Sequence, residues 1–294
     1  MIWHINSRIK GCVDYEQIQK YASDVKFVEN YGALDILRSF SQRSSQIFQF
    51  RQKYVFLYLF FFFSKKHFLD FRTLTISKMR AKRILSNSII FLFFRYFDRI
   101  IAEPTSFEQF NVKKKISFGL GAPMKRFQVK LSIGASLRFV FIGSINRPGV
   151  ENLTKLLQGG NGIKKTLDIY CSITKNDKIR IRDLLKESFD DINFCSWVEY
   201  DSIHHICAQY DVGICYLDME IYKTQVPLKI FDYASAGLYT LCNETPAIET
   251  FVPKDLYVSN MYDLFELNHI QKKVFSPYDT WEAQVARLVR AICI

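Results

Sequence analysis

Between Asp211 and Pro246 the chain reads DVGICYLDMEIYKTQVPLKIFDYASAGLYTLCNETP, and few folds accommodate that stretch. The apolar run from Val212 to Leu217 has the length and branching of a strand buried on both faces, and a polar loop follows it. Pro227 stands where a helix begins, and Gly237 stands where it stops, just before a second apolar run from Leu238 to Cys242. Strand, helix and strand in that order predict a βαβ unit with a ligand site at its carboxyl edge. Lys229 and Asp232 are three residues apart and share one face of the first helical turn, where unpaired N–H groups and the positive dipole end favour an anion. An ammonium there can neutralise a diphosphate, and a carboxylate one turn in can accept hydrogen bonds from ribose hydroxyls. The same spacing also describes a salt-bridged surface helix of any α/β protein, and both readings stand on spacing alone.

Two earlier segments belong to the same alternation of strands and helices. Phe139 to Leu153, FVFIGSINRPGVENL, places Gly143, Ser144 and Arg147 in the loop after a buried strand. A small residue lets backbone approach a phosphate, and arginine offers a planar fork to its oxygens. Trp197 to Leu217, WVEYDSIHHICAQYDVGICYL, runs from a loop through a helix into the strand that precedes Pro227.

These residues resemble the GT-B glycosyltransferases, especially family 4 and its relatives. The run P-L-K-I-F-D-Y-A-S-A-G is similar to their donor-site helix, commonly P-x-K-x-x-E-Y-x-A-x-G. The loop carrying Arg147 resembles the one that touches the donor diphosphate, and Trp197 with Val198 fall where the family cradles the nucleotide base. For Trp197 the alternative is a core side chain, and both readings remain open. The three matches come in the family's order over roughly 110 residues. In two respects the chain departs from the pattern: Asp232 replaces a glutamate, and Thr224 stands eight residues earlier where retaining members carry another carboxylate. Glu220 or Gln225 are the loop candidates to replace it, and retaining or inverting transfer stays open.

The resemblance implies an α/β chain of GT-B type, with two Rossmann-like doubly wound domains facing a cleft and the N-terminal one shortened. Residues 1–123 are expected to form the acceptor-side domain, 124–277 the nucleotide-sugar donor domain, and 278–294 a helix crossing back to the first domain. Strands are expected at Ile2 to Asn6, Val25 to Glu29, Tyr54 to Phe63, Phe68 to Phe71 and Ile100 to Ala102, with helices at Ala33 to Arg43 and Ala81 to Phe97. The stretch from Phe97 to Pro123 resembles the family's close of the first domain, with Ser106 as a helix cap and Gly119, Gly121 and Pro123 at a hinge. The second domain is expected to alternate, with strands at Phe139 to Ile142, Leu167 to Tyr170, Asn193 to Cys195, Val212 to Leu217 and Leu238 to Cys242.

On the acceptor side, His4 and the pair Asp70 and Arg72 follow apolar strands, whose carboxyl ends point into a cleft in such folds. Inverting transfer needs a base near the acceptor hydroxyl, and Asp70 is the first candidate, with a structural pairing to Arg72 as its alternative. For His4 the alternative is a hydrogen-bonded strand-end residue, the more common role for such a histidine. Adjacent His204 and His205 diverge on a helix, and neither metal spacing nor an Asp-x-Asp motif appears. No cofactor or metal is expected; the co-substrate is the nucleotide-diphosphate sugar, whose leaving group basic residues would stabilise.

Net charge sharpens the choice of partner. A formal +11 asks for an acidic one, and the basic residues crowd between Lys65 and Lys115. Anionic lipid attracts such patches and fits a lipid-linked acceptor, whereas nucleic acid is not the expected partner, since no base-reading motif accompanies the charge. Tyr54 to Phe63 is only ten apolar residues, about half a membrane span, and is expected to be a buried strand. Seven cysteines without a pairing pattern fit reduced thiols, and MIWHINSRIKG has no signal-peptide form, so a cytoplasmic protein at the inner membrane face is expected. The function expected is transfer of a sugar to a hydroxyl of a glycan or lipid-linked acceptor in polysaccharide or glycoconjugate assembly. The alternative is a non-catalytic GT-B-like, membrane-associated partner of a glycan-assembly complex.

Overall fold

Two six-stranded parallel sheets carry the chain, one in each of two compact units. The computed structural model describes residues 1–6, 13–71, 80–102, 116–118, 121, 126–131, 134–145, 150, 152–159, 162–217, 226–267, 270–275 and 280–293. Met1–Gly121 with Thr280–Ile294 make the first unit, and Ala122–Asp279 the second.

In the first unit, β1 (Ile2–Ile5), α1 (Val13–Tyr21), β2 (Lys26–Glu29), α2 (Ala33–Ser39) and β3 (Gln46–Gln49) come first. A helical segment over 52–63 centred on α3 (Val55–Tyr58) follows, then β4 (His67–Phe71), α4 (Arg80–Tyr96), β5 (Ile100–Ala102) and β6 (Ile116–Ser117). The sheet order is β2-β1-β3-β4-β5-β6, every pair parallel, so the chain reverses direction across the sheet between β1 and β3. Phe48, Phe61, Phe71, Phe94 and Phe97 fill the core on one face, which gives many of the chain's aromatic residues a packing role. The terminal helix, Trp281–Cys293, buries Trp281, Val285, Leu288 and Ile292 at helical spacing. A Cβ at Gly121 would stand 2.3 Å from the Trp281 ring, so that glycine is what lets the indole seat.

One expected strand is overturned. Tyr54 to Phe63 folds as successive helical turns, 3-10 over Gln52–Tyr54, α over Val55–Tyr58 and 3-10 over Leu59–Phe63. Tyr58 and Phe61, three residues apart, are fully buried, while Phe56, Phe60 and Phe63 are exposed. A run that is apolar at every position carries no period, and strand and helix are then indistinguishable from sequence. The strand that takes its place is β3, QIFQ, whose polar ends hid it. Gln46 is fully buried there, its Oε1 against His4 Nε2 at 2.9 Å and its amide donating to Gln42 Oε1 at 2.8 Å and to Ser44 Oγ at 2.9 Å. A buried polar group costs little once its hydrogen bonds are made. The cap expected at Ser106 lies outside the described residues.

The second unit runs β7 (Arg126–Leu131), β8 (Ser136–Ile142), α5 (Asn152–Leu156), β9 (Lys164–Tyr170), α6 (Lys175–Leu185), β10 (Asp191–Cys195) and α7 (Tyr200–Cys207). Then come β11 (Val212–Cys215), α8 (Lys229–Ser235), β12 (Tyr239–Cys242), α9 (Pro246–Phe251), β13 (Tyr257–Val258), α10 (Met261–Glu266) and β14 (Ile270–Phe275). Its sheet order is β10-β9-β8-β11-β12-β13, all parallel, with β14 and β7 paired antiparallel as a separate ribbon that the sequence reading did not anticipate. After α8, Gly237 takes φ +89°, its N–H reaching Ala234 O at 3.0 Å and the Leu238 N–H reaching Tyr233 O at 2.9 Å. That is a Schellman stop, and glycine is the residue for which the left-handed position costs least.

Candidate functional site

The strand order of the second sheet reverses between β8 and β11, and open parallel sheets bind ligands outside the carboxyl ends of the strands at such a point. β8 ends at Ile142 and Gly143 follows at φ +113°, its N–H donating to Tyr170 O at 2.9 Å. Past the end of β11, Tyr216 sends its hydroxyl to Ile145 O at 2.6 Å, which ties the two loops of the reversal together. A Cβ on Gly143 would lie 3.2 Å from Lys229 Cε and 3.3 Å from its Nζ. The Lys229 ammonium also sits 3.9 Å from the centroid of the Phe141 ring, whose negative face attracts a cation. The loop after β8 and the first turn of α8 therefore meet through one lysine.

Asp232, one turn along α8, is 7% exposed, and the Tyr200 hydroxyl at the start of α7 donates to its Oδ1 at 2.8 Å. Burial pushes its carboxyl up to about 7; the Tyr200 hydrogen bond and the Lys229 charge pull the other way without overcoming it. Tyr233 seats α8 on the sheet: its hydroxyl accepts the Ile142 N–H at 3.2 Å and donates to Ile214 O at 3.3 Å, so one side chain holds both strands of the reversal. That seat requires Gly213, because a Cβ there would stand 2.2 Å from the Tyr233 ring.

The sequence candidates of this unit fall around that point to different degrees. Gly143, Lys229 and Asp232 come together as described, and Ser144 is exposed beside Gly143. Pro227 precedes the helix, and its carbonyl accepts the Ile230 N–H at 3.3 Å. Val198 packs against the cluster of Val140, Ile142 and Tyr233. Trp197 is 55% exposed, which removes the core reading for it. Arg147, Glu220, Thr224 and Gln225 lie outside the described residues.

In the first unit the acceptor-side candidates take structural surroundings. Asp70 is fully buried in β4, its Oδ2 accepting from Trp3 Nε1 at 3.2 Å and from the Tyr15 hydroxyl at 3.3 Å. Among the described residues this carboxylate ties β4 to β1 and α1, so the expected base role is corrected to a structural one. His4 is 3% exposed, holds Gln46, and stacks on Phe48 at 4.0 Å between centroids; burial lowers its pKa and keeps the imidazole neutral. It too is corrected from site to core. Arg72 lies outside the described residues. Among the described residues no group of three or more His, Cys, Asp and Glu side chains is placed to hold a metal ion.

Three contributors were missed by sequence reasoning: Tyr200, Phe141 and Tyr216. Each joins its partner across more than 30 residues of chain, a separation at which no local spacing carries a signal.

No protein-family model matches the chain, and no curated protein matches it in sequence. Solved structures do. Anabaena Alr3699/HepE in complex with UDP-glucose superposes with a TM-score of 0.57 at 10% identity, over 99% of this chain and 89% of that one. Its complex with UDP and glucose gives 0.58 at 11% identity, over 98% and 88%. A glycosyltransferase from Rickettsia africae ESF-5 gives 0.55 at 11% identity, over 99% and 93%. The fold is that of the GT-B glycosyltransferases.

Proposed function

We propose that this GT-B-fold chain is a glycosyltransferase that moves a sugar from a nucleotide-diphosphate sugar to a hydroxyl of a glycan or lipid-linked acceptor. The observation that carries the reading is the meeting of Lys229 with Gly143 at the strand reversal of the second sheet, with the buried Asp232 one turn beyond. In the transfer, the bond from the anomeric carbon to the diphosphate oxygen breaks and the diphosphate leaves with its electron pair. The acceptor oxygen bonds to that carbon and its proton passes to the departing diphosphate, directly or through water. Lys229, joined by Arg147, neutralises the charge gathering on the leaving diphosphate, which is where an oriented cation lowers the barrier most. Glycine at 143 lets phosphate oxygens approach backbone, Asp232 accepts from the ribose hydroxyls, and the exposed Trp197 ring is available to a nucleotide base. No metal is invoked in this scheme.

Anabaena HepE is described with UDP-glucose, which makes uridine nucleotides the first donors to try. The acceptor belongs to polysaccharide or glycoconjugate assembly, met at the cytoplasmic face of an anionic membrane. Thermal-shift measurements against a panel of nucleoside diphosphates test the donor assignment. One nucleotide is expected to raise the transition, by about 2.7 kcal/mol of added stability at a hundredfold excess over its Kd. A flat response to every nucleotide favours the non-catalytic partner of a glycan-assembly complex instead.

A further inference from the structure

The helical segment over 52–63 is apolar at every position from Tyr54 onward, yet only Tyr58 and Phe61 of it are buried. Tyr58 and Phe61 point into the core with no exposure, while Phe56, Phe60 and Phe63 on the other side are 78%, 57% and 90% exposed. Their spacing of four and three residues puts them on one face as a ridge. Soluble chains seldom leave such a ridge uncovered, since each phenyl group in water forgoes the transfer energy of burial. The ridge does not stand alone: of the sixteen large apolar side chains exposed among the described residues, twelve fall between 34 and 96.

Charge is one-sided over nearly the same stretch, from just after Asp35 to just before Asp98. Residues 36–97 hold twelve Lys and Arg and a single acidic residue, Asp70, and Asp70 is fully buried. Lys53 precedes the phenylalanine ridge, Lys65 and Lys66 follow it, and all three are exposed. An apolar ridge collared by lysines, with no exposed carboxylate in 62 residues of sequence, complements a surface that is apolar inside and anionic outside. A second protein would need to bring both an apolar groove and an acidic rim, and nucleic acid would leave the phenyl groups in water. No described helix is long and apolar enough to cross a membrane, so the contact is an interfacial one.

We infer that Phe56, Phe60 and Phe63 insert into the headgroup region of an anionic bilayer, held there by Lys53, Lys65 and Lys66. This deepens the membrane part of the proposed function and stands apart from the donor site, which lies in the other unit. Flotation of the full chain with phosphatidylcholine vesicles, with and without roughly 30 mol% phosphatidylglycerol, tests it. The wild type is expected to float with the anionic vesicles and to be released by high salt. Phe56→Ser/Phe60→Ser/Phe63→Ser is expected to lower the partition at least about tenfold at constant salt. Each of Lys53→Gln and Lys65→Gln is expected to lower it about fivefold on anionic vesicles only. Unchanged circular dichroism and an unchanged nucleotide thermal shift, whatever its size, would show the variants folded and keep the donor question separate. Equal flotation of the triple variant and the wild type would overturn the inference, as would absence of wild-type flotation. A wild-type dimer that the triple variant turns monomeric, without lipid binding, would assign the ridge to a second copy and also overturn it.

Discussion

The Tyr200 hydroxyl donates to Oδ1 of Asp232 across 2.8 Å, joining the first turn of one helix to the buried carboxylate of another 32 residues on. This bond favours the ionised carboxylate, against a burial that opposes it. Tyr200→Phe is therefore expected to push the Asp232 titration further upward and to weaken nucleotide binding at neutral pH. A hydrogen bond to a charged group contributes about 1.5–3 kcal/mol, so the Kd should rise by about tenfold or more. Calorimetric titration with the nucleotide found in the panel measures it, and an unchanged Kd would remove Tyr200 from the site.

Burial of Asp232 also makes stability depend on pH with an unusual sign. Its carboxyl titrates at about 7 in the folded chain against an ordinary value of 3.8. As pH climbs from about 4 to 7 the unfolded chain releases that proton while the folded chain keeps it, so this group's contribution to stability falls across the window and levels off above it. The size is up to about 4 kcal/mol. Asp232→Asn has no proton to release, and urea unfolding at pH 4.5 and 7.5 should show the variant losing less stability than the wild type between the two. Ribose hydroxyls favour the ionised form, so nucleotide affinity should strengthen as pH rises through 7 in the wild type and not in Asp232→Asn.

Lys229→Ala removes the cation from the Phe141 face and from the Gly143 loop together. Deleting one donor that stabilises a leaving group typically costs about 10²-fold in kcat, and that loss is expected here with little change in thermal stability. Wild-type turnover of a confirmed donor by this variant would disprove the assignment of α8.

Gly143→Ala brings two penalties at one position. At φ +113° an L side chain is strained, and its Cβ would lie 3.2 Å from Lys229 Cε. The backbone cost is about 1–3 kcal/mol, and the lysine must shift away from the loop. Chemical denaturation should register the first effect and a raised Kd for nucleotide the second.

Tyr233→Phe leaves the Ile142 N–H without the hydroxyl it donates to, at the strand end that leads into Gly143. An unsatisfied buried donor costs about 1–3 kcal/mol. Amide exchange at Ile142 should speed up accordingly, and exchange within the first unit's sheet should not change.

Local chemistry made much of the second sheet and of α8 readable in advance. Buried parallel strands announce themselves as continuous apolar runs, and a helix closed by Gly237 has a stop that depends only on residues within one turn. Lys229 and Gly143 were legible for the same reason, since each lies at an element end that the run pattern marks, and Asp232 follows from Lys229 by its spacing of three residues. The uniformly apolar stretch 54–63 was misread because a helix and a strand bury it equally well; which one forms depended on a core supplied by Phe48, Phe93 and Phe97. QIFQ was passed over because Gln46 becomes buriable only once His4, Gln42 and Ser44 surround it. Asp70 looked like a base until Trp3 and Tyr15 closed over it. A pattern of neighbours in the chain carries element type and end, because those energies are local. Protonation, access and hydrogen-bond partnership are set by what arrives from 32 to 91 residues away, as Tyr200 does for Asp232 and Tyr233 for Ile142, and no run of consecutive residues contains them.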